Sequence, residues 1–206
     1  TAVSYRPSSK RIQSTMFTHL INDNLLLRLP EDRDAEAMLA LFENGRNYFT
    51  YWSDWPKRMQ TVGDCQTLIQ RHRRAFAEEK EIPAAMIYQG QFVGISSLEI
   101  QERYVVKKGE LSYWLGEPFQ GKGIVTQSCR ALLAYAFTDL GLNRLVLRFK
   151  HVSADNENSG SRRVAERLGF VQEGVQRQGG VARGQFMDML VYSLLADEWR
   201  ARQSPD

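Results

Sequence analysis

Hydrophobic positions along this chain fall into short runs and helical stripes that predict an order of elements. Leu25-Leu26-Leu27-Arg28-Leu29 reads as a strand stopped by Pro30. Asp32 or Asp34 then caps a helix whose apolar positions are Ala35, Met38, Leu39, Leu41 and Phe42, ending at Gly45. A second helix runs from about Gly63 to Lys80, with Cys65, Leu68, Ile69, His72, Ala75 and Phe76 on one stripe. Ile82–Tyr88 and Phe92–Ile100 form two strands around Gln89-Gly90-Gln91, a hairpin signal, followed by a polar connection from Gln101 to Lys108. Glu110–Leu115 is the next strand. From Ile124 the positions Val125, Cys129, Leu132, Leu133, Ala136, Phe137 and Leu140 mark one buried face of a long helix. Leu145–Phe149 is a further strand, and Ser161–Leu168 a short helix stopped at Gly169. The last strands are Phe170–Val175 and Phe186–Leu195, separated by Gln178-Gly179-Gly180. This order predicts one α+β domain with helices on both faces of a sheet.

Two stretches carry candidate chemistry. Tyr48 to Trp55, ahead of Pro56, holds five aromatics in eight residues, Tyr48, Phe49, Tyr51, Trp52 and Trp55. It reads either as a hydrophobic plug under a loop or as one wall of an acceptor pocket. Gln120-Gly121-Lys122-Gly123 lies between a strand and a helix start, where unpaired amides, the helix dipole and close backbone approach favour an anion. Gly116-x-x-x-x-Gly121-Lys122 matches most of a nucleotide P-loop, but Gly123 stands where that motif needs a hydroxyl for magnesium.

Charge and composition narrow the classes. The 206 residues carry 27 basic and 24 acidic side chains, and Arg6, Lys10 and Arg11 account for the whole excess of +3. Residues 16–206 are therefore neutral overall, which argues against a nucleic-acid partner. Residues 1–15 read as a basic tail or an added remnant, with an Arg/Ser bias that also suits a targeting segment. No apolar run approaches the roughly 18 residues of a membrane helix, so no membrane partner is expected. Cys65 and Cys129 both fall on helices and read as reduced, packed thiols of a cytoplasmic protein. His19, His72 and His151 are scattered, so no metal site or hydrolytic triad is expected. A homo-oligomer is neither required nor excluded.

Three pieces in fixed order carry a family resemblance. They are Tyr113-Trp114-Leu115, Phe119-Gln120-Gly121-Lys122-Gly123-Ile124, and Asn158-x-x-Ser161 ahead of Arg167-Leu168-Gly169-Phe170 and Glu173-Gly174. Together they resemble the GNAT superfamily of N-acetyltransferases, and within it the RimJ/RimL branch that acetylates ribosomal-protein N-termini. The likeness extends from about Met16 to Trp199, including Trp55-Pro56 and Tyr192-Ser193-Leu194. It implies a mixed, mostly antiparallel sheet splayed at its central strands. It also implies acetyl-CoA as cosubstrate and direct attack by a primary amine, either a protein N-terminus or a small molecule.

The resemblance assigns roles as well. The pyrophosphate would be received by Gln120, Gly121, Lys122, Gly123, Ile124 and Val125, with Val125 where the family has a smaller residue. Trp114 and Leu115 would hold the pantetheine arm, and an amide near Leu115 would polarise the thioester carbonyl. Ser161 would hydrogen-bond the sulfur and Asn158 the pantetheine. The family's frequent tyrosine is replaced by Ala165. An alternative register places the pair at Asn156 and Ser159, and Ser161 also reads as a plain helix cap. Glu110 is the candidate base, directly or through water, with Asp188 second. Tyr51, Trp52, Trp55, Tyr113 and Asp188 are expected around the acceptor. A non-catalytic acyl-CoA-binding domain is the alternative of a different class, with a P-loop protein third.

Overall fold

A computed structural model describes residues 18–151 and 159–203. The strands are β1 (Thr18–Asn22), β2 (Leu25–Arg28), β3 (Glu81–Tyr88), β4 (Gln91–Glu102), β5 (Lys108–Leu115), β6 (Arg144–Lys150), β7 (Val171–Ala182) and β8 (Gln185–Leu195). They form a single sheet in the order β1-β2-β3-β4-β5-β6-β8-β7. The pair β5–β6 is parallel and every other neighbouring pair is antiparallel. The α+β sheet expected from the sequence is the one observed.

The helices are α1 (Ala35–Asn44), α2 (Arg46–Trp52), α3 (Val62–Ala77), α4 (Ile124–Ala134), α5 (Ser159–Leu168) and α6 (Ala196–Gln203). Local chemistry sets their starts. Asp34, buried beneath α1, takes both guanidinium nitrogens of Arg28 at 2.7 and 2.6 Å. Thr61 and Asp64 make a reciprocal capping box for α3. Two cores lie on the two faces of the sheet. One packs Leu111, Leu115, Leu145, Leu147 and Phe149 against Ile124, Cys129, Leu132 and Leu133 of α4 and Leu168 of α5. The other packs Ile87, Phe92 and Ile95 against Met38 and Phe42 of α1, Phe49 of α2 and Ile69 of α3.

Five elements differ from the expectations. The aromatic stretch is not a loop: α2 covers residues 46–52, and a 3-10 turn follows at Trp55–Arg58. Its rings are held by packing, with Phe42–Phe49 at 5.0 Å and Phe42–Trp55 at 5.4 Å between centroids. The long helix from Ile124 changes to a π-helical turn at Tyr135–Asp139. Gln178-Gly179-Gly180 does not separate the last strands, because β7 continues to Ala182 and only shifts register between Gln176 and Gly180. The reversal comes at Arg183-Gly184, both with positive φ. Finally, β1 and α6 were unforeseen; β1 is mostly exposed and lacks an apolar alternation.

Candidate active site

The site begins where two strands part. β5 and β6 pair from Lys108↔Arg144 to Leu111↔Leu147 and no further, although β5 runs on to Leu115 and β6 to Lys150. β4 still pairs with Ser112–Leu115, and β8 with Arg148–Lys150. Each strand is therefore held from outside while its inner edge is unpaired, so a gap opens in mid-sheet. The Gly116 N–H donates to the Val93 carbonyl at 2.9 Å. Amide direction alternates along a strand, so the N–H groups of Tyr113 and Leu115 face the gap.

A cavity of about 620 Å³ fills this gap. Side chains alternate between faces along a strand, and the lining includes Tyr113, Leu147 and Phe149 from one face and Ser112, Trp114 and Lys150 from the other. The cavity therefore passes through the sheet.

At one end stands the glycine loop. Gln120, Gly121, Gly123, Ile124 and Val125 all line the cavity. Gly121 and Gly123 hold φ of 74° and 73°, a left-handed geometry that side chains resist. Gly123 gives α4 no side-chain cap, and the first turn has no acidic residue, so its amides are left for an anion. A Cβ at Gly121 meets nothing within 4 Å, which leaves room for a bulky phosphate group. These features fit the pyrophosphate of acetyl-CoA. Lys122 lies outside the lining, its ammonium 5.4 Å from the Phe119 ring centroid and 5.6 Å from that of Tyr88.

Ser161 lines the cavity from the first turn of α5, while Ser159 is the first residue of that helix. Asn158 and Asn156 lie outside the described residues. The Tyr113 hydroxyl is buried on the Ser161 side. Burial pushes its pKa up, the nearby Cys129 adds to the rise, and a hydrogen bond toward Ser161 opposes it. The hydroxyl nevertheless lacks a partner at full hydrogen-bond geometry, so the Tyr113–Ser161 contact is loose. Tyr113 packs with the α4 core rather than with the aromatic wall expected around an acceptor.

The opposite end is aromatic and basic. Trp52 and Trp55 line it together with Tyr48, Met187, Met189 and residues 180–182 of β7, so the aromatic stretch meets a segment of β7 here. The Trp114 ring packs on Phe42 at 4.8 Å, which leaves its backbone for the gap. Tyr51 stacks edge-on against Trp52 at 4.7 Å and stands outside the lining. Asp54 accepts from the amides of Arg183 and Gly184 at 2.9 and 2.8 Å, pinning the β7–β8 hairpin to the aromatic segment.

Neither carboxylate expected as base lies in the lining. Glu110 is gripped by Arg148 through two bonds of 2.9 and 2.8 Å, and accepts a third from Gln101 at 2.8 Å. Asp188 accepts from the Gln178 amide at 2.8 Å, where it fastens the register shift in β7. Among the described residues the lining holds no carboxylate and no imidazole. Sequence reasoning passed over Arg148, Lys150 and Arg163, all of which line the cavity. In sequence these are polar positions within a strand and a helix, with nothing to mark them until the gap is seen. No group of metal-ligating side chains occurs among the described residues.

Comparison with known proteins matches this geometry. Residues 24–171 match the family model described as an acetyltransferase (GNAT) domain. The chain is 36% identical to the putative ribosomal N-acetyltransferase YdaF of Bacillus subtilis, over 91% of this chain and 100% of that protein. It is 25% identical to the ribosomal-protein-serine acetyltransferase of Escherichia coli, over 86% of this chain and 96% of that one. Among solved structures, the microcin C7 self-immunity acetyltransferase MccE, in complex with acetyl-CoA and AMP, superposes with a TM-score of 0.76 at 28% identity. That match covers 85% of this chain and 94% of MccE. The P-loop and non-catalytic alternatives fall away, and the chain belongs to the GNAT acetyltransferase family as an acetyl-CoA-dependent N-acetyltransferase.

Proposed function

We propose that the acceptor is the N-terminal amine of a protein, with a ribosomal protein as the leading class. The observation that carries this reading is the gap through the sheet, with an anion-binding loop at one end and an aromatic mouth at the other. A chain terminus is narrow enough to enter such a passage. The names of the relatives from Bacillus subtilis and Escherichia coli point the same way.

Acetyl-CoA, when bound, supplies a thioester whose acetyl carbon is the electrophile. The amides of the glycine loop and the first turn of α4 hold its pyrophosphate. The inward-facing amide of Tyr113 would pair with the pantetheine arm, and that of Leu115 would stabilise charge developing on the carbonyl oxygen. Ser161 would give its proton to the sulfur as the carbon–sulfur bond breaks, so that CoA leaves as the thiol, and would regain one from the protonated Tyr113 hydroxyl behind it, the pair being restored by the proton that the amine sheds. The amine must lose a proton before or during attack. Of the two routes through Glu110, its place outside the lining supports only a water relay, with Arg148 between the carboxylate and the cavity.

The test is acetyl transfer from acetyl-CoA to a panel of N-terminal peptides and small amines, followed by thiol release and mass spectrometry of the product. Acetylation of peptide α-amines above all small amines is expected. Turnover confined to small amines would overturn the protein-acceptor reading. In the same assay Gly123→Glu should abolish acetyl-CoA binding by titration, since a carboxylate would fill the loop and repel phosphate; unchanged affinity would remove the loop from the site.

A further inference from the structure

At the acceptor end, two cations share one aromatic ring. The Lys150 ammonium lies 4.5 Å from the Tyr51 ring centroid and donates to the Tyr51 carbonyl at 3.0 Å. The Arg183 guanidinium lies 4.9 Å from the same centroid. Lys150 is only 7% exposed and lines the cavity, while Arg183 is exposed beside the lining residues 180–182. Among the described residues neither has a carboxylate partner. The neighbouring acids among the described residues are committed elsewhere: Asp54 to Lys57 at 2.5 Å and to two hairpin amides, Glu110 to Arg148, and Asp188 to the Gln178 amide.

A buried ammonium that among the described residues has only a carbonyl and a ring for company is poorly compensated there. Both burial and the nearby Arg183 charge lower its pKa. This arrangement relaxes when an anion arrives. No acid in the described lining opposes the two charges, so a polycationic acceptor meets repulsion along the whole passage.

We propose that Lys150 and Arg183 form an anion subsite that selects acceptor peptides carrying an Asp or Glu side chain within the first few residues after the reacting amine. The inference rests on the protein-terminus reading above. Lys150 reads the carboxylate at the inner end, and Arg183 meets it at the rim. Tyr51 positions both cations through its ring and its carbonyl.

The test compares kcat/KM for matched peptides that differ only at positions two and three, acidic, neutral or basic, with spermidine as a polycationic probe. The acidic peptide should exceed the basic one by about tenfold or more at low salt, with spermidine poorest and the gap narrowing as salt is added. Lys150→Gln should shrink the acidic preference mainly through KM. Arg183→Glu, a change at an exposed position, should reverse its sign, and acetyl-CoA titration checks that each variant retains its cofactor site. Equal rates on all peptides in the unaltered enzyme would overturn the subsite while leaving the protein-terminus reading standing. An acidic preference that survives both substitutions would also overturn it. No turnover on any peptide, with acetyl-CoA still bound, would remove the acceptor reading and the subsite with it.

Discussion

Ser161 illustrates how one side chain serves two purposes at once. It stands in the first turn of α5, where a hydroxyl is common for reasons of helix geometry alone, yet it also lines the cavity beside the buried Tyr113 hydroxyl. Ser161→Ala should lower kcat by about tenfold or more while the acetyl-CoA dissociation constant stays within about twofold, the signature of an interaction made mainly as the bond breaks. Calorimetry and single-turnover kinetics separate the two; an unchanged kcat would return Ser161 to a purely structural cap. Residues of this kind were legible because a motif of fixed spacing surrounds them. Lys150 and Arg148 were not. Glu110 also looked free in the sequence, because the arginine that grips it lies 38 positions later and reaches it only across the β5–β6 pair. Long-range pairing of this kind leaves no local trace.

At the scale of elements, periodicity reveals what is buried on one side and misses what is held by context. The apolar stripe of α4 and the flanking glycines were readable because burial demands them. The α2 helix was not, since its aromatics are placed by contact with Phe42 and Trp114 rather than by a helical stripe. The β4–β5 contact shows the tightest demand on a single position. A Cβ at Gly94 would stand 2.2 Å from the Trp114 carbonyl oxygen and 3.0 Å from the Leu115 Cα, both backbone atoms that cannot swing aside. Gly94→Ala should therefore destabilise the fold by about 3 kcal/mol and weaken acetyl-CoA binding, because it displaces the strand whose amides face the gap. Urea unfolding and titration check both effects. A variant as stable as the parent would show that β5 can shift without cost.

For the whole molecule, the two cores matter less than the seam between them. Each face of the sheet is covered by its own helices, so the opening between β5 and β6 is flanked by rigid packing on both sides. Because that opening runs from one face to the other, the proposed donor and acceptor ends would have separate doors. Neither must leave before the other arrives, and both can be present when the acetyl group moves. Initial-rate measurements with both reactants varied should give intersecting double-reciprocal lines. Parallel lines would demand an acetylated enzyme, for which a packed thiol such as Cys129, fully buried and pushed up to about 12, is a poor carrier. A passage with two doors also frees the size of the acceptor from the size of the enzyme. A folded protein, even one far larger than this chain, can be served from outside provided that a few residues at its end are loose enough to thread.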